Sequence, residues 1–315
     1  MSTRRSFLRS AGAGFASAAL ASAAGGGETA RARRMTIDLT CGAIGVSANQ
    51  REAVAFAKKH GFESVAPDGS FLGALSDAEL TALRADMQAA GLVFGAAGLP
   101  VDFRGDEAKF RADVAALAPF ARALARAAAT RVGTWVSPGH GTLTYRANFA
   151  QHAARLREVA RVLGGEGLRL GLEYVGPKTS WTRARYPFIH TMLEMRELIA
   201  EIGRDNVGLV LDSWHWYTAG ETVADLLSLA NADVVAVDLN DAPAGIAVEA
   251  QVDSRRELPA ATGVIDIKAF LSALLEIGYD GPVRAEPFNA ELRRLPAGEA
   301  VAATARAMKK AFEMI

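Results

Sequence analysis

The sequence predicts an α/β protein built as a (β/α)8 TIM barrel. Strand-like and helix-like segments alternate strictly over about 280 residues, which is the usual size of such a barrel. In addition, four of the predicted strands run into an acidic residue. The C-terminal ends of barrel strands meet at one mouth, so this pattern places four carboxylates on a common rim.

The predicted strands are short apolar runs, the pattern of a strand buried on both faces. The clearest begins as Gly-Leu-Val-Leu at 208 and runs directly into Asp212. Glycines or polar residues bound the other runs. The eight predicted strands cover residues 35–39, 63–66, 92–96, 131–136, 168–173, 208–212, 234–238 and 282–286.

The predicted helices lie between these strands and carry ordinary start and stop signals. Ser76 followed by Glu79 is a capping box, and Gly91, Gly203 and Gly278 follow helical segments as stops. The helices are predicted at 50–59, 76–91, 106–129, 145–163, 188–202, 222–230, 266–277 and 299–312. A doubly wound open sheet is the alternative, but the glycines after the first strand lack the spacing of its phosphate-binding turn.

The composition is that of a globular chain with ample core material. Half of the 315 residues are apolar and 22% are charged. No linker or low-complexity segment follows residue 34, so we predict one domain over 35–315. Cys41 is the only cysteine, which excludes an intramolecular disulfide and a multi-thiolate metal site.

The first 34 residues are predicted to be an export signal or a disordered N-terminus outside the fold. Arg4 and Arg5 form a twin arginine, followed by Phe-Leu and then by a weakly apolar small-residue segment, 11–24. This pattern resembles a twin-arginine signal and predicts a twin-arginine translocase as partner and a periplasmic or secreted location. The apolar segment is short for a membrane span, so we expect no stable membrane insertion.

Without those 34 residues the chain is acidic. Removing their six arginines and one glutamate from 35 basic and 35 acidic residues leaves 29 against 34, a net charge of about −5. Such a balance argues against nucleic acid or an anionic membrane as a partner.

The four strand-end acids form the principal candidate site. Four carboxylates on one rim cannot all stay ionised without a counter-charge, and a divalent cation would supply it. An all-oxygen ligand set favours Mn2+ or Mg2+, with Co2+ or Zn2+ as further options. The alternative is that each acid caps a following helix or pairs with an arginine. The four acids are Glu173, Asp212, Asp238 and Glu286.

The motifs around these acids resemble the xylose isomerase-like TIM barrels, the sugar (phosphate) isomerases and epimerases, over the whole chain after the signal. The run at 171 reads GLEY, the run at 211 reads LDSWH, the run at 237 reads VDLNDA and the run at 284 reads RAEPF. A fifth motif, RRELP at 255, leads into GVID at 263.

The resemblance implies roles for individual residues. Glu173 and Glu286 would bind the metal and also act as acid and base on opposite faces of the substrate. Asp212 would be a third metal ligand. His215 and Arg256 would contact substrate oxygens.

Apart from the resemblance, Trp214, Trp181 and Trp216 lie in segments after the fifth and sixth predicted strands, at the mouth of the barrel. There they are predicted either to stack on a sugar ring or to pack in the rim.

The sequence departs from the family at two places. Asp238 stands where the family usually has a histidine ligand, which leaves the identity and the occupancy of the metal open. Residues 259–263, Pro-Ala-Ala-Thr-Gly, replace a tighter loop, so the substrate is also open.

These observations are consistent with three functions. The first is a metal-dependent isomerase or epimerase that acts through an enediolate on a free sugar or sugar derivative. The second is a dehydratase or lyase for keto-sugars or cyclitols at the same site. The third is a non-catalytic sugar-binding protein. DNA-repair relatives of the family use many more histidines than the five present here. A homo-oligomer fits the family, although no stretch of sequence shows an interface.

Overall fold

A computed structural model describes residues 32–315, which form a nearly closed parallel barrel surrounded by helices. The nine strands of the main sheet follow the order β3-β2-β1-β11-β10-β9-β7-β5-β4, and all of their pairings are parallel. The strands are β1 Thr36–Leu39, β2 Ser64–Val65, β3 Val93–Phe94, β4 Ala96–Gly98, β5 Arg131–Trp135, β6 Gly139–His140, β7 Arg169–Glu173, β8 Tyr186–Pro187, β9 Val207–Asp212, β10 Val234–Leu239 and β11 Pro282–Ala285.

The helices alternate with these strands, as predicted. Strands β6 and β8 form a separate antiparallel pair. The helices are α1 Gln50–His60, α2 Gly69–Ala74, α3 Asp77–Ala89, α4 Glu107–Arg126, α5 Tyr145–Gly165, α6 Lys178–Trp181, α7 Met192–Ile202, α8 Ser213–Thr218, α9 Val223–Leu227, α10 Ile267–Glu276 and α11 Ala297–Phe312.

The (β/α)8 prediction is confirmed, and the local signals that supported it are visible. Ser76 caps α3 through its hydroxyl, which accepts from the N–H of Glu79, while the Glu79 carboxylate accepts from the N–H of Ser76. Gly203 ends α7 in the left-handed conformation, with φ of 62°. The short helices α2, α6 and α8 were not predicted, because they lie within loops and have no helical period of their own.

The third predicted strand is divided at Gly95 into two short strands, β3 and β4. These strands form the two ends of the sheet, so the chain segment that joins them closes the barrel. Strand β3 pairs with β2, whereas β4 pairs with β5, so the two ends of the sheet are consecutive pieces of one chain segment. A Cβ at Gly95 would lie 2.2 Å from Oδ1 of Asp38. Glycine is therefore required at this position by the buried side chain on β1.

Asp38 is a buried carboxylate with only partial compensation. Its Oδ2 accepts a hydrogen bond of 3.0 Å from the Thr40 hydroxyl, whereas its Oδ1 has no hydrogen-bond partner within the described residues. Burial is the main cause that raises the pKa of Asp38 to about 6. Folding therefore favours the protonated form of this side chain.

We expect the substitution Asp38→Asn to remove a pH-dependent loss of stability. The folded-state pKa is raised, so the folded protein binds more protons than the unfolded chain between about pH 4 and pH 6, and stability falls as the pH rises through this window. Urea unfolding at pH 4 and pH 7 should show the wild type losing about 2 to 3 kcal/mol relative to the variant. The control, Asp86→Asn, removes a carboxylate from an exposed pair with Lys58. An equal pH dependence in wild type and Asp38→Asn would contradict the expectation.

The predicted export signal lies almost entirely outside the described residues. At the start of the described part, Arg33 makes a bidentate ion pair with Glu63, with N–O distances of 2.6 and 2.7 Å. The proposed domain boundary at 34/35 stays a prediction. Within residues 32–315, no helix is both long and apolar enough to cross a membrane.

Candidate active site

The four predicted acids converge at the C-terminal ends of adjacent strands. Glu173 and Asp212 end β7 and β9, Asp238 is the second-last residue of β10, and Glu286 directly follows β11. Asp212 and Asp238 are direct neighbours in the β9–β10 register. One carboxylate oxygen from each of the four residues lies within 4.8 Å of the others. The parallel register of the barrel thus builds the cluster that the strand ends predicted.

A cavity of about 680 Å3 opens above this cluster. Glu173 and Glu286 line it, whereas Asp212 and Asp238 are completely buried behind its wall. Val210 and Ala236, each two residues before one of the buried aspartates, line the cavity one layer deeper in the barrel. The two glutamates are therefore the members of the cluster that a ligand in the cavity would meet.

Asp212 is held by three donors. Its Oδ1 accepts from the N–H of Trp214 at 2.8 Å and from the Asn240 amide at 3.0 Å, while its Oδ2 accepts from Nη1 of Arg256 at 2.7 Å. The first of these bonds caps the short helix α8. Burial nevertheless dominates and raises the pKa of Asp212 to about 7, with Arg256 opposing the rise.

Arg256 is fully buried between several acids, as its predicted place in the site requires. Besides Asp212, its guanidinium contacts the Asp253 carboxylate at 2.8 Å and that of Glu286 at 3.4 Å. These carboxylates outweigh burial and raise the pKa of Arg256 above its usual value. Arg256 also lines the cavity, so it can contact both the acid cluster and a ligand.

Of the two positions predicted for Trp214, ligand stacking and rim packing, the structure shows the second. Its side chain is completely buried, is not part of the cavity wall, and lies 5.7 Å from the Arg256 guanidinium. Helix α8 turns this residue away from the mouth. We therefore place Trp214 behind Arg256, as a support for the guanidinium and not as a contact for substrate. Trp181 stacks on His190, and Trp216 packs against Phe270.

His215 lies at the edge of the cluster and lines the cavity. Its Nδ1 accepts from the N–H of Gly176 at 3.2 Å, and its Nε2 lies 3.7 Å from Oε1 of Glu173 and 3.8 Å from Oδ2 of Asp212. Burial, with Arg256 as a second cause, lowers the pKa of His215 to about 3. The imidazole is therefore neutral at physiological pH. Because Nδ1 is an acceptor, the ring proton lies on Nε2, which can donate to a substrate oxygen. Binding of a metal through Nε2 would require the proton to move to Nδ1, with loss of the bond from Gly176.

Asp238 is paired with Arg284, which was not among the predicted site residues. Arg284 donates from Nε and Nη2 to the two Asp238 oxygens, the second bond being 2.9 Å long, and also lies 3.5 Å from the Glu286 carboxylate. The period of two that directs Glu286 inward also directs Arg284 inward, two residues earlier in the run. That alternation was the signal in the sequence that could have identified it.

The cluster has the properties of a cation site. Burial first, and then the charges of Asp238 and Glu286, raise the pKa of Glu173 well above its usual value. Burial and the charge of Asp238 likewise raise the pKa of Glu286. Oε1 of Glu173 is buried and has no hydrogen-bond partner within the described residues. Two arginines therefore leave these carboxylates under-compensated, and a divalent ion fits the oxygen donors that they present.

Two overlapping ligand sets satisfy the distances for such an ion. One consists of Glu173, Asp212 and His215, and the other of the four strand-end acids. The nitrogen of His215 suits Mn2+, Co2+ or Zn2+, and the all-oxygen set suits Mg2+ or Mn2+. His140, the loop histidine that follows β5, lies in β6, where its Nδ1 accepts from the N–H of Leu143 at 2.8 Å.

Comparison with known proteins agrees with this architecture. The sequence profile of the family described as "Xylose isomerase-like TIM barrel" matches residues 54–311. The chain belongs to this family. A solved xylose isomerase domain protein from Alicyclobacillus acidocaldarius is 32% identical, with a TM-score of 0.73 over 86% of this chain and 96% of that one.

Relatives of known activity in the xylose isomerase-like family match this chain over shorter stretches. The inosose isomerase of Bacillus subtilis is 33% identical over 150 residues, 46% of this chain and 49% of the relative. The 3-dehydroshikimate dehydratase of Pseudomonas aeruginosa is 29% identical over 143 residues, 45% of this chain and 21% of that protein. The match thus spans about half the length of the inosose isomerase.

A zinc-bound IolI protein has the same fold. It is 22% identical to this chain, with a TM-score of 0.71, and the alignment covers 88% of this chain and 98% of that protein.

Proposed function

We propose that this protein is a divalent-metal-dependent isomerase or epimerase that enolises a sugar or sugar derivative. The observation that carries the proposal is the convergence of four strand-end carboxylates within 4.8 Å, two of which line a cavity of about 680 Å3. Inosose isomerase and L-ribulose 3-epimerase among the relatives support the reaction class. An inosose or a ketose is accordingly the first substrate class to test.

Glu173 and Glu286 are the proposed acid and base. They belong to strands separated by β9 and β10 in the barrel, so they approach the cavity from different directions. One carboxylate takes the proton from the carbon beside the substrate carbonyl, which leaves an enediolate. The other returns a proton from the opposite face, and the carbon is inverted. Their raised pKa values bring both groups closer to the pH at which a carboxylate can donate as well as accept.

A bound divalent ion would polarise the carbonyl and its neighbouring hydroxyl and so acidify the C–H between them. We propose that Glu173, Asp212, Asp238 and Glu286 hold this ion, with His215 available as a nitrogen ligand or as a substrate contact. Arg256 would donate hydrogen bonds to a substrate oxygen, while its charge opposes the rise in the pKa of Asp212 that burial causes. The oxygen-rich ligand set favours Mn2+ or Mg2+. Zn2+ is a further candidate for this ion, because the IolI protein of the same fold binds zinc.

A dehydratase is the second candidate, because a 3-dehydroshikimate dehydratase is among the relatives. The same proton abstraction followed by loss of a β-hydroxyl would give dehydration, with Glu286 or Glu173 protonating the departing oxygen. The third candidate is a sugar-binding protein without catalysis. The pairing of Asp238 with Arg284, where the family usually has a metal-binding histidine, favours it.

The cellular location also belongs to the proposal. The twin arginine at Arg4 and Arg5 supports export through the twin-arginine translocase to the periplasm or beyond. That route carries folded proteins, so the metal could be acquired before export. To test this, a reporter would be fused after residue 34 and its location determined. The proposal requires that the reporter stay in the cytoplasm of cells that lack the translocase, and that the matched variant Arg4→Lys/Arg5→Lys stay there in normal cells.

Metal content and proton exchange together test the function. Wild-type protein and the double variant Glu173→Gln/Glu286→Gln would be analysed for bound metal. Both would then be incubated in heavy water with Mn2+ and an inosose or ketose, and exchange of the α-protons followed by NMR. Near-stoichiometric metal and exchange in the wild type alone would establish the enolising site. Absence of both in the wild type would reject it in favour of the binding protein.

A further inference from the structure

We propose that Arg104 binds a carboxylate of the substrate, so that the preferred substrate is a sugar acid or a polyhydroxylated keto acid. The inference extends the proposed function by naming a substrate class. It depends on that function for the reaction, but the binding of the carboxylate can be measured independently of any reaction. It is based on the position of Arg104 in the cavity and on the absence of a salt bridge from Arg104 to any residue of 32–315.

The guanidinium of Arg104 is held firmly at the cavity wall. The residue follows β4 and lines the cavity. Its guanidinium carbon lies 4.3 Å from the ring centre of Phe103 and 4.2 Å from that of Trp135. Nη2 donates to the Thr134 hydroxyl at 3.0 Å and to the Trp135 carbonyl. A cation that contacts two rings and is fixed by two hydrogen bonds is a preorganised binding group.

No salt bridge joins this cation to an acid within residues 32–315, although the negative charge of Asp102 compensates it in part. The other two arginines of the cavity, Arg256 and Arg284, each form ion pairs with carboxylates. Arg104 forms no ion pair with a described residue, and its Nε is buried without a hydrogen-bond partner there. The carboxylate of Asp102 accepts instead from the backbone N–H groups of Arg104 and Gly105.

Burial of the unpaired guanidinium has an electrostatic cost. Burial lowers the pKa of Arg104 to about 10, against the opposing effect of the charge of Asp102, and still leaves the side chain charged at neutral pH. A half-buried cation without a counter-ion is unfavourable, and a ligand anion would compensate it. A neutral hydroxyl could accept a hydrogen bond but would leave the charge uncompensated. The site therefore favours a carboxylate over a hydroxymethyl group at the same position of a ligand.

The location of Arg104 also suits a substrate of this size. Trp135, whose carbonyl binds the guanidinium, is the direct neighbour of Glu173 in the β5–β7 register. Adjacent strands lie about 5 Å apart, which is the reach of a few carbon atoms. A carboxylate on Arg104 would thus place the carbon chain of the ligand beside the proposed acid–base residue.

Two ligands that differ only at one terminus test the inference. D-Gluconate carries a carboxylate where D-glucitol carries a hydroxymethyl group. Their dissociation constants would be measured by calorimetry with full-length protein in saturating Mg2+, for wild type, Arg104→Gln, Arg104→Lys and Arg111→Gln. Arg111 is the matched control, because it lies over the Phe110 ring at 5.1 Å but pairs with Glu107 and Glu158 on the surface. Saturating Mg2+ keeps attraction of the carboxylate to the metal common to all samples.

We expect the preference for gluconate over glucitol to be about 10-fold or more larger in the wild type than in Arg104→Gln. Arg111→Gln should retain the full preference, and Arg104→Lys part of it, since lysine keeps the charge but loses the planar fork. Equal preferences in wild type and Arg104→Gln would overturn the inference. So would failure of gluconate to bind the wild type at about 100 mM, a concentration that reveals even very weak affinity.

The outcome is distinguishable from failure of the proposed function. Loss of proton exchange with an intact Arg104-dependent preference would reject the enolising function and keep the carboxylate site. Proton exchange without an Arg104-dependent preference for gluconate would keep the enolising function and reject the carboxylate site. Urea unfolding midpoints of the Arg104 variants would show whether they fold, and Arg104→Lys serves if Arg104→Gln does not.

Discussion

Replacement of either cavity glutamate by glutamine is expected to slow interconversion of substrate epimers by about 10²- to 10⁴-fold, the usual contribution of a general acid or base. Glu173 and Glu286 serve different faces of the substrate carbon in the proposed mechanism. Each single variant should therefore still exchange the proton of one epimer, without converting it into the other. NMR in heavy water, started separately from each epimer with saturating Mn2+, would detect this split.

The control for this experiment is Glu291→Gln. Glu291 is exposed and pairs only with Arg294 among the described residues, so its loss should leave both rates unchanged. Metal content of each variant is measured in parallel, because both glutamates are also proposed ligands. Full interconversion in either single variant at saturating Mn2+ would contradict the two-carboxylate mechanism.

The substitution Arg256→Met is expected to lower the free energy of unfolding of the metal-free protein by about 3 to 5 kcal/mol at pH 8. It leaves the fully buried Asp212 and the neighbouring Asp253 without their cation. The guanidinium opposes the rise in the pKa of Asp212, so its removal raises that pKa further. Urea unfolding in a chelator at pH 5 and pH 8 would measure the effect.

The pH dependence of this loss of stability identifies its physical cause, the buried charge of Asp212. A folded-state pKa above the unfolded value means that stability is lost as the pH rises toward the folded pKa. The pKa of Asp212 in the folded protein is about 7, so this side chain is largely protonated at pH 5. The loss of unfolding free energy caused by Arg256→Met should therefore be smaller at pH 5 than at pH 8. Arg294→Met, which breaks an exposed pair, should change stability by less than about 0.5 kcal/mol at both pH values. An equal loss of unfolding free energy in the two variants would show that the buried ion pair of Arg256 and Asp212 contributes no more to stability than an exposed pair.

The barrel itself could be predicted in detail from local patterns. Short apolar runs, helix caps such as Ser76 and stops such as Gly203 are properties of neighbouring residues, and the structure reproduces them. The convergence of the strand-end acids followed from the same reasoning, because the geometry of a parallel barrel brings strand ends together whatever the side chains are.

Contacts between side chains on different strands could not be predicted in this way. The split of the third strand depends on the approach of Asp38 to Gly95, two residues that are far apart in the sequence. The burial of Trp214 depends on the turn made by α8, a helix too short to have a recognisable period.

The sequence by itself therefore determined the alternation of strands and helices, the barrel and the rim on which the four acids meet. Only the tertiary structure decided how those acids are compensated, with Arg256 on Asp212 and Arg284 on Asp238. It also left Arg104 without a salt bridge to any described residue. The physical reason is that backbone periodicity is set by neighbouring residues. The partner of a buried charge is set instead by register and side-chain packing between distant segments.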